Sequence, residues 1–266
     1  MSMKTILFDH ALRMGFAVSR KSPDASVLRT LQRLQPVTTN IPLIRLGGAG
    51  DGGYLVPNDL DEIAACFSPG VDTTASFEEA VLARGIPCYL ADASVTSPPI
   101  QHPQIDFERK FLGVVNDDTY STLDSWVDLK LPGNRQDLLL QMDIEGHEWP
   151  VLLNTSDRVL QSFRIIVLEL HGLPHSFNPA ALQMFEAVLE RLSRAFHVVH
   201  AHPNGHFPGF RYQSMKIPHF LEVTLLRKDR AEATGFAQQF PHPLDATNVP
   251  GQPDERLPDI FIGAGR

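Results

Sequence analysis

The stretch from residue 64 to residue 92 constrains the fold of this chain more than any other. It contains, in order, an apolar segment at 64–67, a turn at Ser68-Pro69-Gly70, a helical pattern at 74–84 that stops at Gly85, and a second apolar segment at 87–91 followed by Asp92. This order predicts a βαβ unit, in which a glycine-bearing turn and a helix N-terminus lie beside an acid at the tip of the next strand. Backbone N–H groups there can face the charged end of a nucleoside, and a carboxylate can accept from its ribose hydroxyls. The first hypothesis is therefore a nucleoside-cofactor enzyme.

Length and charge limit the class of protein. The chain has 266 residues, 43% of them hydrophobic and 20% charged, which suits one large α/β domain with a substantial core. The 23 basic and 31 acidic residues give a formal net charge of −8. Proteins that bind a phosphate backbone usually carry a basic field, so nucleic acid is not an expected partner.

The cysteines and the N-terminus indicate the compartment. Cys66 and Cys88 lie in the two predicted core strands, where buried reduced thiols are expected. No apolar run approaches the ~18 residues that a membrane span needs. The apolar core before Asp9 is too short for a secretory signal. We expect a cytoplasmic protein with no membrane partner.

Apolar segments and helical patterns alternate along most of the chain. Further strands are predicted at 41–46, 105–114, 138–142, 164–170, 196–201 and 220–226, and helices at 122–129, 147–153 and 179–195. Only a loop joins the last two strands, so they should pair antiparallel. The fold class predicted is α/β, with a seven-stranded mostly parallel sheet, helices on both faces and the last strand antiparallel. By analogy, this is the Rossmann-like layout of the class I methyltransferases.

Three parts of the chain are expected. Residues 1–40 are predicted to be an N-terminal helical extension, helical to about residue 35 and outside the core. Residues 41–228 would form the main domain, and residues 229–266 a Pro-rich C-terminal arm.

A glycine-rich run follows the first predicted strand. Gly48-x-Gly50-x-x-Gly53 matches the dinucleotide fingerprint in spacing, but a strand-like segment at 54–57 follows where that motif needs a helix. The context argues against a dehydrogenase. A flexible turn and a loop that approaches a ligand through Asp51 and Tyr54 both remain open.

The turn at Gly70 differs because it follows a strand and precedes a helix. Thr73 or Thr74 is predicted to cap that helix, with Glu78 supporting its first turn. Asp92 could be an ordinary cap or loop residue. Its spacing of about 20 residues from the glycine turn is instead the one expected for ribose binding.

Acids and histidines end the later strands. Asp143 follows the strand at 138–142 and should project over the site, because ligands of open α/β sheets bind beyond the carboxyl ends of strands. Glu148 is expected only to favour a helix N-terminus. Glu169 and His171 end the next strand, and acid/base chemistry, metal binding or simple packing are all open for them. No tight metal signature is present, so no metal is favoured; a divalent ion, if present, would use Asp143, Glu169, His171 and His202.

Four segments in order carry a family resemblance. They are Asp51-Gly52-Gly53-Tyr54; Phe67-Ser68-Pro69-Gly70-Val71 with Ser76-Phe77-Glu78; Met142-Asp143-Ile144-Glu145-Gly146-His147-Glu148; and His200-Ala201-His202-Pro203-Asn204 with Leu221-Glu222-Val223-Thr224. Together they resemble the FkbM-like family of S-adenosylmethionine-dependent methyltransferases, in particular a branch with a DGGY loop. The resemblance spans about residues 43–228.

The resemblance implies a cofactor, a reaction and a set of site residues. It places these residues around S-adenosylmethionine: Asp51, Gly52, Gly53, Tyr54, Ser68, Gly70, Asp72, Ser76 and Asp92. Asp143 would face the methyl-transfer site, and Asp143, Glu169 or His171 would be the base. The expected reaction is O-methylation of a sugar or another small hydroxyl substrate. Two positions depart from the family pattern: Pro69 replaces a glycine and removes a backbone donor, and His147 replaces an alanine.

Two other function classes remain open. One is a divalent-metal-dependent hydrolase or lyase on the same sheet, built from the four metal candidates named above. The other is a non-catalytic relative that binds the cofactor but has lost turnover.

Overall fold

The structure is a computed structural model that describes residues 3–15, 18–133 and 136–262. Its α-helices are α1 (Met3–Arg13), α2 (Asp24–Leu31), α3 (Ser76–Leu82), α4 (Leu123–Lys130), α5 (Glu148–Asn154), α6 (Asp157–Leu160) and α7 (Pro179–Ala195). Its strands are β1 (Val37–Thr38), β2 (Leu43–Leu46), β3 (Tyr54–Pro57), β4 (Ala65–Pro69), β5 (Cys88–Ala91), β6 (Ile105–Glu108), β7 (Phe111–Leu112), β8 (Tyr120–Ser121), β9 (Leu138–Met142), β10 (Phe163–His171), β11 (Phe196–Pro203), β12 (Phe210–Tyr212), β13 (Met215–Ile217), β14 (Phe220–Arg227) and β15 (Gly235–Phe236). Short 3₁₀ turns lie at Gln32–Leu34, Leu173–Phe177 and Asp259–Phe261.

Seven strands form the central sheet, in the order β11-β14-β10-β9-β4-β5-β6. The β10-β9-β4-β5-β6 pairs are parallel, whereas β14 runs antiparallel to both β10 and β11. The predicted α/β fold, with the last sheet strand antiparallel, is confirmed. The chain order reverses between β4 and β9, which is where open α/β sheets bind ligands.

Both faces of the sheet are covered. β9 and β10 are buried along their whole length, as expected for parallel strands between two layers. On one face α2, α4, α5 and α7 pack against the sheet, and on the other lie α3 and the β2–β3 hairpin. Phe67 of β4 is fully buried and contacts the Trp126 ring edge-on at 4.9 Å. Burial of such a side chain stabilises the fold by about 2–3 kcal/mol.

The N-terminal region contributes to the core. Val27, Leu31 and Leu34 are buried, with exposures of 0%, 0% and 1%, so the prediction that residues up to about 35 lie outside the core is wrong. The reason is that α2 is amphipathic and its apolar face packs against α7, where Thr30 donates to Glu186 at 3.1 Å. Residues 1, 2, 16 and 17 of this predicted extension lie outside the described residues.

The C-terminal region also returns to the body of the molecule. β15 pairs antiparallel with β1, and Leu257 and Phe261 are buried in the core under the α2–α7 face. Residues 263–266 lie outside the described part of the chain. The division into 1–40, 41–228 and 229–266 stays a prediction.

Smaller expectations have clear outcomes. Tyr54–Pro57 is a strand that pairs antiparallel with β2, so the glycine run lies in a hairpin and lacks the helix of a dinucleotide motif. The predicted threonine cap is wrong: α3 begins at Ser76 after Ala75, with no side-chain cap.

Cys66 and Cys88 are buried free thiols, as predicted, and burial raises the pKa of Cys66. Within the described ranges, every helix is too short or too polar to cross a bilayer.

Candidate functional site

A cavity of about 590 Å³ opens at the carboxyl ends of β4, β5 and β9. Seven of the predicted site residues line it: Asp51, Gly52, Tyr54, Gly70, Asp72, Asp92 and Asp143. Gly53 lies between two lining residues, and Ser68, Ser76, Glu169 and His171 contact residues of the wall from behind. The chain reversal thus gathers residues from distant segments around one opening.

The bend at Gly70 fixes the floor of the cavity. Gly70 has a φ of +84°, and a Cβ built there would lie 1.6 Å from the carbonyl oxygen of Asp143. Only glycine fits this approach of two backbones. The Gly70 N–H donates to Ala91 at 3.0 Å, and the Asp143 N–H donates to the carbonyl of Pro69 at 3.4 Å. The contact at Pro69 is made by its carbonyl, which a proline keeps.

Asp92 faces that bend. Its side chain follows β5 and the residue is only 4% exposed. One carboxylate oxygen accepts from the Asp72 N–H at 3.0 Å, and the other accepts from the N–H and hydroxyl of Ser94 at 2.7 and 2.6 Å. A carboxylate offers about four lone-pair sites, so capacity remains for a ligand hydroxyl. The structure brings Asp92 to the bend, and its role toward ribose stays a prediction.

The DGGY loop is held in place by side chains outside it. Arg45 donates to the carbonyls of Gly48 and Gly50 at 2.7 and 2.9 Å. Ser76, at the start of α3, accepts from the Gly48 N–H at 3.1 Å and donates to Gly52 at 3.0 Å. The loop is therefore an ordered wall of the cavity, which favours the ligand-loop interpretation over a flexible turn.

A buried polar network supports this wall. The Ser68 hydroxyl is hydrogen-bonded to Glu78 and lies 2.7 Å from an amide oxygen of Gln141, whose amide nitrogen is 3.5 Å from the Tyr54 hydroxyl. Burial raises the pKa of Glu78 and raises the pKa of Tyr54 well above its usual value. Glu78 lies in the first turn of α3, where it was predicted, and it also anchors the end of β4.

Asp143 and Glu169 form a coupled pair of carboxyls on the other side. Burial raises the pKa of Asp143 to about 6, against the opposing effects of His171 and Glu169. Burial, together with the negative charge of Asp143, raises the pKa of Glu169 to about 10. Asn204 donates to Glu169 at 2.9 Å. At neutral pH Glu169 is therefore a neutral acid beside an ionised Asp143. Oδ1 of Asp143 is buried and has no hydrogen-bond partner within the described ranges.

His171 is surrounded by carboxylates. Its Nδ1 lies 3.1 Å from Glu148, and its Nε2 lies 3.4 Å from Glu145 and 3.9 Å from Asp143. Burial lowers the pKa of His171, but these acids outweigh it and the net effect raises the pKa. Glu148 also accepts from the N–H groups of Ile144 and Gly146, so it stabilises the turn before α5 as well as the imidazole.

The four residues of the predicted metal site are not brought together. Asp143 and His171 lie with Glu145, and ligand atoms of these three are within 4.8 Å of one another. His202 belongs to a different group, with Asp245 and Asp254. The four-residue metal site predicted for the hydrolase alternative is therefore wrong. His202 on β11 is separated from β10 by β14.

Residues 90–198 match the family model described as the methyltransferase FkbM domain. This match supports the predicted resemblance to the FkbM-like methyltransferase family. No curated protein matches the chain.

The FkbM match runs along the chain from the end of β5 to the start of β11. It includes Asp92, Asp143, Glu169 and His171. It supports a methyltransferase and agrees with the Rossmann-like fold. The match begins after the glycine-rich loop, so the DGGY branch of the FkbM family stays a prediction.

Several residues that line the cavity were not predicted from the sequence. The β7–β8 pair supplies Phe111, Leu112 and Tyr120, which sequence patterns gave no reason to place near Asp92. Gln141 also lines the cavity. A signal for it existed, because it is the one polar residue of the apolar strand LLLQM.

Proposed function

We propose that this protein is an S-adenosylmethionine-dependent methyltransferase that methylates a hydroxyl oxygen of a sugar or another small molecule. One observation carries the proposal: acids line the cavity, and none of its described lining residues is Lys or Arg. A phosphate-bearing cofactor such as a dinucleotide needs positive or N–H partners for its charge. A nucleoside that carries a positive charge suits an acidic wall. The FkbM domain match is consistent with this choice.

The residues present fit that cofactor. The cavity of about 590 Å³ is within the usual range for cofactor sites. Asp92 would hold the ribose hydroxyls, the bend at Gly70 would hold the methionine part, and Phe111 with Tyr120 would give the adenine an apolar wall. The two rings lie 6.0 Å apart. When bound, S-adenosylmethionine supplies a methyl group on a positively charged sulfur.

The chain's own contribution to the reaction centres on Asp143. It lines the cavity and is ionised at neutral pH, so it can accept the proton of a substrate hydroxyl. Glu169, held neutral, keeps a second negative charge away from the site, and the surrounding acids raise the pKa of His171, which favours its protonated form. Positioning of the hydroxyl in line with the methyl group would supply much of the rate.

Cofactor binding is tested by calorimetry with S-adenosylmethionine and S-adenosylhomocysteine. We expect Asp92→Asn to lower both affinities at least tenfold, because the amide loses the charge and one acceptor. Asp61→Asn, an exposed residue at the opposite end of β4, is the matched control and should bind as the wild type does. Equal affinity of the Asp92→Asn variant and the wild type would contradict the cofactor site.

The acceptor is tested separately. Radiolabelled S-adenosylmethionine is offered with a panel of mono- and oligosaccharides and of small phenols and amines. Transfer to a sugar hydroxyl is the expected result. Transfer to an amine alone would contradict O-methylation while leaving the cofactor assignment intact. Tight binding with no transfer to any acceptor would favour the non-catalytic interpretation.

A further inference from the structure

A second group of polar side chains lies at the end of β11, outside the cavity described above. It consists of His202 on β11 and of Asp245 and Asp254 on the C-terminal segment, and we call it the His202 group. One ligand atom from each residue lies within 4.8 Å of the others. None of the three lines the cofactor cavity.

We propose that the His202 group binds one zinc ion, or a divalent ion of similar chemistry, which fastens the segment 242–254 to the end of the sheet. One imidazole nitrogen and two carboxylate oxygens are a donor set that zinc accepts, with a fourth position left for water or another protein oxygen. The inference does not depend on the proposed methyltransferase function.

The orientation of the imidazole supports an ion at this place. Nδ1 of His202 lies 3.2 Å from Glu222, and Nε2 lies 2.8 Å from Oδ1 of Asp254. An imidazole that binds a metal usually donates its other N–H to a carboxylate, which fixes the tautomer and the ring. Glu222 occupies that position, so Nε2, which faces Asp254, is the nitrogen left to bind an ion.

Asp245 provides an independent observation. Its side chain is 2% exposed, and its Oδ2 accepts from the His242 N–H at 2.7 Å. Oδ1 lies 2.9 Å from Nε2 of His200, a close contact that is poorly aligned for a hydrogen bond. A carboxylate has about four lone-pair sites, so a buried carboxylate with these two contacts keeps capacity to bind a cation in the His202 group.

The site also has room and access. A tetrahedral zinc with bonds of about 2.0–2.2 Å keeps its ligand atoms about 3.4 Å apart, so Asp254 would move only slightly from His202. A cavity of about 340 Å³ lined by Asn248 and Asp254 opens beside the group. The side-chain oxygen of Asn248 is buried and also lacks a hydrogen-bond partner among the described residues. The cavity gives an ion an entry path and space for a bound water.

An ion-free arrangement is the alternative. A protonated His202 between Glu222 and Asp254 would neutralise the same carboxylates without a metal. Zinc titration separates the two, because only a built site takes up the ion stoichiometrically.

The test uses the full chain after treatment with a chelator. Zinc is titrated in competition with a chromophoric chelator, and the melting temperature is recorded with and without one equivalent. We expect one tight equivalent and a higher melting temperature, since the ion binds only the folded chain. Asp254→Asn and Asp245→Asn should both lose that equivalent. Glu222→Gln should keep it with an affinity lower by about 10–100-fold, the effect usual for the carboxylate behind a ligand.

Glu145→Gln is the matched control, because it alters the other group of potential ligands, with Asp143 and His171. It should keep the tight equivalent. No zinc uptake, several weak equivalents, uptake unchanged in both Asp254→Asn and Asp245→Asn, or uptake lost in Glu145→Gln would each overturn the proposal. Asp254 is 23% exposed, so its variant should stay folded without zinc, and the zinc-free melting curve verifies this. If Asp245→Asn fails to fold, Asp254→Asn decides the result.

Discussion

The two sides of the cavity are built in different ways. The side around Gly70 and Asp92 comes from one stretch of chain and is held by backbone contacts and a carboxylate with three N–H or O–H donors. The side around Asp143, Glu169 and His171 comes from two strands, β9 and β10, with Asn204 added from beyond β11. On that side, the chemistry depends on which of these three side chains are protonated, because each changes the pKa of its neighbours. The first side depends on steric fit, and the second depends on electrostatics.

The difference predicts that the two sides fail in different ways. A change on the Gly70 side should damage the fold or cofactor binding. A change on the Asp143 side should leave both largely intact and alter rate and pH dependence.

The largest effect is expected for Gly70→Ala. Its Cβ would lie 1.6 Å from the backbone of Asp143, so β4 and β9 would have to separate. We expect the free energy of unfolding to fall by about 3 kcal/mol or more, from overpacking together with the positive φ. Urea unfolding measures it.

Gly85→Ala is the control for that change. Gly85 has a similar φ of +77°, but a Cβ there meets nothing within 4 Å. Only the backbone strain of about 1–2 kcal/mol should remain. Equal losses in the two variants would show that the close approach at Gly70 is unimportant.

Asp143→Asn should affect the rate. The amide cannot accept the substrate proton, so kcat for methyl transfer should fall by about 10²–10⁴-fold. Affinity for S-adenosylmethionine should change little, whereas Asp92→Asn should show the opposite pattern. A variant that loses cofactor affinity and rate together would mean that the two sides are not separable.

The pH profile should report the same residue. The pKa of Asp143 is raised to about 6, and only the ionised carboxylate acts as a base. Thus kcat should rise as the pH increases through about 6 and level off above it. A profile with no inflection between pH 5 and 7 would exclude Asp143 as the base.

Glu169→Gln should have the smallest effect on activity at neutral pH, and it should instead change how stability depends on pH. The folded pKa of Glu169, about 10, lies above its unfolded value, so its contribution to stability is complete below about pH 4.5 and is lost as pH rises toward 10. Glutamine resembles the neutral acid and does not titrate. The stability of the variant relative to the wild type should therefore grow by up to about 1.4 kcal/mol per pH unit. Urea unfolding at pH 6 and pH 8 tests this, and a constant difference would contradict a neutral Glu169.

Much of the fold followed from local sequence patterns. The segment 64–92 predicted its βαβ unit because strand periodicity, the glycine turn and the helix pattern agree within one short stretch. The antiparallel last strand followed from a loop too poor in helical pattern to cross over. The packing of the N-terminal region into the core could not be predicted in this way. The sequence of α2 is amphipathic whether its apolar face packs against the core or against a partner.

The sequence by itself determined the sheet, the glycine bend and the acid at the tip of β5, since each rests on the short-range geometry of the backbone. Only the tertiary structure decided which acids share a proton, that His171 is surrounded by carboxylates, and that His202 lies in a separate group. Those properties depend on burial and on distances between residues far apart in the chain, which a linear pattern does not contain.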